Sequence, residues 1–179
     1  DPVARVVAME GDARVRRDGR EEALAVGAPV LVGDALRTGA AATLRVESFG
    51  GLSIVIGPGT ELAVEEHLFA PQGGLRAAFR LVAGIVRLVG GAIAGPSEIV
   101  VETSQAIAAV RSTDWLVERT PGATGVLVVR GKVVVTGRAG GVVALGPGQG
   151  SDVMDGRPPT PARAWGQARR EAVLARTAL

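Results

Sequence analysis

The sequence predicts an all-β fold: many short antiparallel strands wound into a sandwich or short solenoid-like body, with one C-terminal helix. Three observations lead there. The 26 glycines fall mostly singly between short β-branched runs and have no period of three, so they mark many tight turns rather than collagen. Residues 43–47 alternate apolar and polar, which is the period of a half-buried strand, and Leu52, Ile54 and Ile56 share one face of the run that follows. A strand–glycine–strand unit recurs at Gly11 to Gly27 and Gly131 to Gly148, with an echo around Gly84, and the Gly-Pro-Gly of 57–59 returns at 146–148.

Taken in order, residues 3–9 form a first strand. Residues 13–16 and 22–26 follow as a pair, joined by Asp18-Gly19, a strong hairpin dipeptide. Gly33-Asp34 is a turn before the short run 35–38. Leu44 and Val46 share one face of the next strand, and Leu52, Ile54 and Ile56 share one face of its return. Gly50-Gly51 sits between the two strands, where φ > 0 is needed. Gly57-Pro58-Gly59 breaks the ladder because proline has no N–H to give, and the alternation resumes at 60–64.

Residues 65–75 are expected as a surface connection with Leu68 and Phe69 tucked in. Residues 77–94 are the most apolar window, nearly long enough to span a bilayer. Arg80 and Arg87 argue against a membrane span, at about 2.5–3.5 kcal/mol each near mid-membrane. An amphipathic helix is the second option, and the expected form is two strands joined through Gly84. Phe79 and Leu81 point inward before a glycine bulge, and Val86 and Leu88 after it, with Arg87 outward. Further strands are expected at 99–103, 116–119, 125–130, 132–136 and 142–145, with 149–154 closing the β region.

Gly33, Asp34, Arg37, Thr38 and Gly39 form the run GD-x-LRTG, followed by a hairpin and LxxGPxTxL. Together with Val110, Arg111, Thr113, Asp114 and Trp115 this resembles the FecR family of bacterial periplasmic domains. The usual second block of that family is TPxAxIGVRGT with an acidic and an aromatic residue after it. Here Ser104 replaces the proline, Ala108-Ala109 stands for Ile-Gly, and Ser112 replaces the second glycine. The resemblance covers roughly residues 3–154 and implies a sensor or regulatory domain. The founding type relays an outer-membrane receptor signal to a sigma factor across the inner membrane; with neither a sigma-binding segment nor a membrane helix expected in this sequence, that role is not expected to carry over.

After the β region, 156–161 reads as a proline-rich linker and 162–178 as a helix. Thr160 is its expected N-cap and Pro161 its first helical residue, with Trp165, Ala168, Ala172 and Ala175 along one stripe. The division is thus a domain of 1–155, a linker of 156–161 and a helical extension of 162–179. Residues 157–179 carry five arginines against Glu171, which concentrates the basic character in the tail of a chain whose net charge is only +2. Trp165, Arg169 and Arg170 are the expected contacts to a partner, with a lid over an open end of the β body as the alternative.

Catalytic chemistry is sought and not found. Cysteine is absent and His67 is the one histidine, so thiolate metal sites and a histidine-rich cupin centre are excluded. No G-x-S-x-G elbow occurs, and Gly125 to Lys132 has the wrong spacing for a phosphate loop. Body arginines interleaved with carboxylates, and few aromatics, speak against nucleic acid; the same scarcity speaks against carbohydrate. Asp34 is expected to cap a turn and Arg111 to pin strands through a buried ion pair. No cofactor is expected. The chain begins Asp1-Pro2, consistent with a fragment or a removed export signal. The expected role is a non-catalytic, exported interaction module, a subunit or scaffold of an envelope or surface assembly. Its partner would be another protein or a neighbouring subunit, a second copy included. The alternative is a ligand-sensing, regulatory periplasmic domain of the sigma-factor-regulator type.

Overall fold

The computed structural model describes residues 1–69, 73–110 and 114–179. Among the described residues, alternation and glycine turns give 17 strands, of 2 to 15 residues, and one helix. Their ladders fall into two facing sheets that share a single strand. Sheet I runs β4 (Pro29–Val30), β1 (Ala4–Glu10), β6 (Thr43–Ser48), β7 (Ser53–Ile56), β9 (Leu75–Val89), β12 (Asp114–Thr120), β13 (Ala123–Arg130), β16 (Gln149–Met154) and β17 (Arg163–Ala164). Sheet II runs β3 (Arg20–Ala23), β2 (Ala13–Arg17), β5 (Ala35–Thr38), β8 (Glu61–Phe69), β9, β10 (Ser97–Glu102), β11 (Ala106–Val110), β14 (Val133–Gly137) and β15 (Val142–Leu145). The chain winds back and forth between the sheets, so both the sandwich and the solenoid description apply.

The shared strand is the main departure from the sequence reading. Residues 75–89 form one strand, not two. Its first part pairs with β8 and, in parallel, with β10 in sheet II. Its second part pairs with β7 and β12 in sheet I. Gly84, at φ 93°, is the crossing point. As the glycine signal predicts, the inward set shifts there from Phe79 and Leu81 to Val86 and Leu88. The two glycine-centred repeats follow the same route: β1 and β13 lie in sheet I, and the β2–β3 and β14–β15 hairpins in sheet II.

One core lies between the sheets, built from inward residues such as Leu44, Ile56, Leu62, Phe79, Leu88, Val101, Trp115 and Val135. A smaller cluster lies on the outer side of sheet I, where Ile85, Leu116 and Leu127 are covered by Trp165 and Val173.

Three further expectations are corrected. Residues 65–69 are strand, not connection. A register shift between Val64 and Glu66 reverses the parity of β8. His67 is therefore buried at 7% exposure and Leu68 stands out at 58%, while Phe69, on the His67 face but at the strand's last residue, is 63% exposed. Residues 106–110, read only as part of a motif, form β11 between β10 and β14. The helix α1 is only Gln167–Ala175, and its N-cap is Gly166. Trp165 precedes the helix and does not share its phase, so Ala168, Ala172 and Ala175 face solvent and Val173 is the buried residue. Thr160 caps nothing there. Its hydroxyl accepts the Asp152 N–H at 2.9 Å and its carbonyl accepts Ser151 Oγ at 2.7 Å. The proline segment lies against the body, with Pro158 over Gly141 and Pro159 over Gly137 and Gly141, where added Cβ atoms would collide.

Candidate functional site

The first motif is a set of side chains that fasten strands together. Asp34 is fully buried (0% exposed) between the turn before β5 and the end of β2. Its two carboxylate oxygens accept Arg17 Nε and Nη2, both at 2.7 Å, and one also accepts the Leu31 N–H at 2.8 Å. A planar fork meeting a planar carboxylate is the strong geometry for such a pair. Asp34 in turn holds the Arg17 guanidinium more firmly protonated than usual, mainly through that hydrogen bond. Gly33 takes φ 95° and donates its N–H to Val64. Arg37, on the outer face of sheet II, lies between Glu21 and Glu61 at 2.8 and 3.2 Å.

Thr38 ties the two halves of this motif. Its hydroxyl donates to the Gly57 carbonyl at 2.6 Å and accepts the Thr60 N–H at 2.9 Å. Gly39 accepts from Gly59 and donates to Asp12. LRTG and GPGT thus occur together because each supplies the other's backbone partners.

The second motif repeats the device. Thr103 Oγ1 accepts the N–H groups of Gln105 and Ala106, both at 3.1 Å, which sets the turn into β11. Asp114, also buried, receives Arg87 Nε and Nη2 at 2.9 and 2.8 Å. Burial opposes the charge on Arg87, and the hydrogen bond to Asp114 outweighs it, so its affinity for the proton rises. Arg111 and Thr113, expected to hold this motif, lie outside the described residues. The Arg17–Asp34 and Arg87–Asp114 pairings were not foreseen. Each joins residues distant in sequence, and only the strand register brings them together.

In the C-terminal segment the structure separates the expected partner contacts. Trp165 is 6% exposed, with its ring against Gly125 and Gly150. Those two glycines leave room for the indole, a signal that the sequence carried but that only the packing makes readable. Arg169 lies over the Trp165 ring at 3.5 Å and forks onto Asp152 at 2.9 and 2.6 Å. Arg176 pairs with Glu118 on β12. Arg170 is half-buried. The segment is thus fastened to sheet I and covers its outer apolar cluster, leaving the outer face of sheet II bare.

That bare face carries Arg14, Arg16, Arg37, Glu21 and Glu61 on one side of β9. On the other side lies a flatter row of Val100, Ala109, Val134 and Ala144 in register. Among the described residues no group of three or more His, Asp or Glu side chains is placed to hold a metal ion. No helix among them is long and apolar enough to cross a membrane.

These features define a class: a two-sheet β domain whose most distinctive polar residues fasten its own strands. The FecR protein family model matches residues 34–134, more than half of the chain, and the chain belongs to that family. No curated protein sequence matches it. Two crystal structures of a "putative anti-sigma factor" from Parabacteroides distasonis, at 1.65 and 2.50 Å, are similar to it, each with a TM-score of 0.62 at 16% identity. Each likeness covers 78% of this chain and 64% or 63% of the other, so this chain spans less than two thirds of the protein it resembles. At that identity the likeness is one of fold.

Proposed function

We propose that this chain is a regulatory domain of a sigma-factor-control system that works by recognising another protein, without catalysis, on the periplasmic side of the envelope. The observation that carries this reading is the FecR match across both motifs, residues 34–134. The anti-sigma description of the structural neighbours supports regulation over the alternative of an assembly subunit. The geometry is in keeping with it. A body cross-fastened by buried Asp–Arg forks is stiff, and a stiff body can hold a recognition surface without reorganising on contact. The tail covers the outer apolar cluster of sheet I, and the bare face of sheet II offers a surface to a partner.

The test is to delete the coding sequence in its host and compare transcripts. A coordinated change in the genes of one sigma factor is expected. Unchanged transcription, together with loss of an envelope complex in which the chain is a stoichiometric member, would replace regulation with the scaffold reading.

A further inference from the structure

Where β9 crosses between the sheets it leaves a gap. β10 pairs with it only as far as Arg80, and β12 begins pairing only at Gly84. On that side no described strand pairs with residues 81–83, so part of the backbone there lacks a ladder partner. A pocket of about 380 Å³ occupies the gap. Three arginines reach it from three different elements: Arg80 from β9, Arg119 from β12 and Arg138 from the turn after β14.

The charges around it are unequally matched. Arg80 has Glu65 at 3.3 Å, and Arg138 has Glu102 at 3.1 Å and the Thr103 carbonyl at 2.7 Å. Among the described residues no carboxylate pairs with Arg119. Its Nη2 donates to Ser104 Oγ at 3.0 Å, while its Nε is buried without a hydrogen-bond partner. A buried donor left unpaired is costly and uncommon in native proteins, and an incoming acceptor would relieve it. The three guanidiniums face two carboxyl groups, Glu65 and Glu102, which also hydrogen-bond each other, so at least one positive charge is left uncompensated. That balance suits a single carboxylate better than a dianionic phosphate, which Glu65 and Glu102 would repel. Guanidinium forks also match the planar carboxylate in shape.

We propose that this pocket is a binding site for a carboxylate, held by Arg80, Arg119 and Arg138 in the gap that β9 leaves at its crossing. The carboxylate belongs either to a small organic acid or to a glutamate or aspartate of an extended peptide laid beside residues 81–83. The site stands independently of the signalling role.

The test is an NMR titration of the full chain, following arginine side-chain resonances at constant ionic strength with chloride as the reference anion. The probes are sodium acetate, a blocked tripeptide with one glutamate, its glutamine counterpart and inorganic phosphate. Saturable shifts with acetate or the glutamate peptide, and none with the glutamine peptide, are expected. Arg119→Gln should weaken binding about tenfold or more, the loss of a charge-assisted hydrogen bond. Arg80→Gln should do likewise, and since Arg80 is 57% exposed that variant tests the site without endangering the fold. A peptide that binds more tightly than acetate assigns the site to a chain segment, and equal affinity assigns it to a free acid. Absence of saturable binding by either carboxylate, phosphate binding as tight as acetate, or undiminished binding in Arg80→Gln would overturn the proposal.

Discussion

Replacing Gly84 by alanine tests the crossing strand on which both sheets depend. The residue sits at φ 93°, where an L side chain is strained by about 1–2 kcal/mol. An added Cβ would lie 2.5 Å from Thr60 Cα and 2.7 Å from Thr60 Cβ, so backbone must move, at about 1–3 kcal/mol for overpacking. Thr60 cannot move freely, because its hydroxyl accepts the buried Ile85 N–H at 3.0 Å. Strain and crowding act together at one residue, so a loss of about 2–5 kcal/mol is expected. Equilibrium urea unfolding followed by circular dichroism would read it as a lower midpoint at unchanged slope. Gly33→Ala is the control: φ is similar at 95°, but a Cβ there meets nothing within 4 Å, so about 1–2 kcal/mol is expected from strain alone. If Gly84→Ala costs no more than Gly33→Ala, the close passage over Thr60 does not constrain β9 and the reasoning fails.

Trp165→Ala should cost about 3–5 kcal/mol, the usual range for deleting a large buried aromatic, and lower the melting temperature by about 10 °C. A melting point within two or three degrees of the parent protein would show that the tail is not a fixed cover. Asp34→Asn should destabilise by about 2–3 kcal/mol, less than for a wholly buried pair because Arg17 is partly in water; chemical denaturation measures it, and an unchanged midpoint would contradict it. Burial holds His67 below its ordinary pKa of 6.5, so the unfolded chain takes up the proton first as pH falls. Its contribution is complete above about pH 6.5 and is lost as the pH drops toward the folded value. Urea midpoints at pH 7.5 and 5.5 should therefore differ more in the parent than in His67→Gln, and equal differences would mean that the histidine is not buried neutral.

Local signals in the chain were enough for the class of fold, most of the strands and the turns between them. Alternation at 43–47, the apolar run at 52–56 and glycine at Gly50-Gly51 act over a few residues, so they can be read without knowing any partner. The same locality made the GD-x-LRTG block recognisable and placed a parity change at Gly84. Tertiary structure alone decided what each strand lies beside. The parallel pairing of β9 with β10, and its passage from one sheet to the other, are choices between distant segments that leave no periodic trace. One displaced residue in β8 turned His67 inward and Leu68 outward, because side-chain direction has a period of two and any bulge inverts it. The partners of Asp34 and Asp114, and the three arginines gathered at the crossing, were likewise set by register, since charge carries no address until the backbone supplies one.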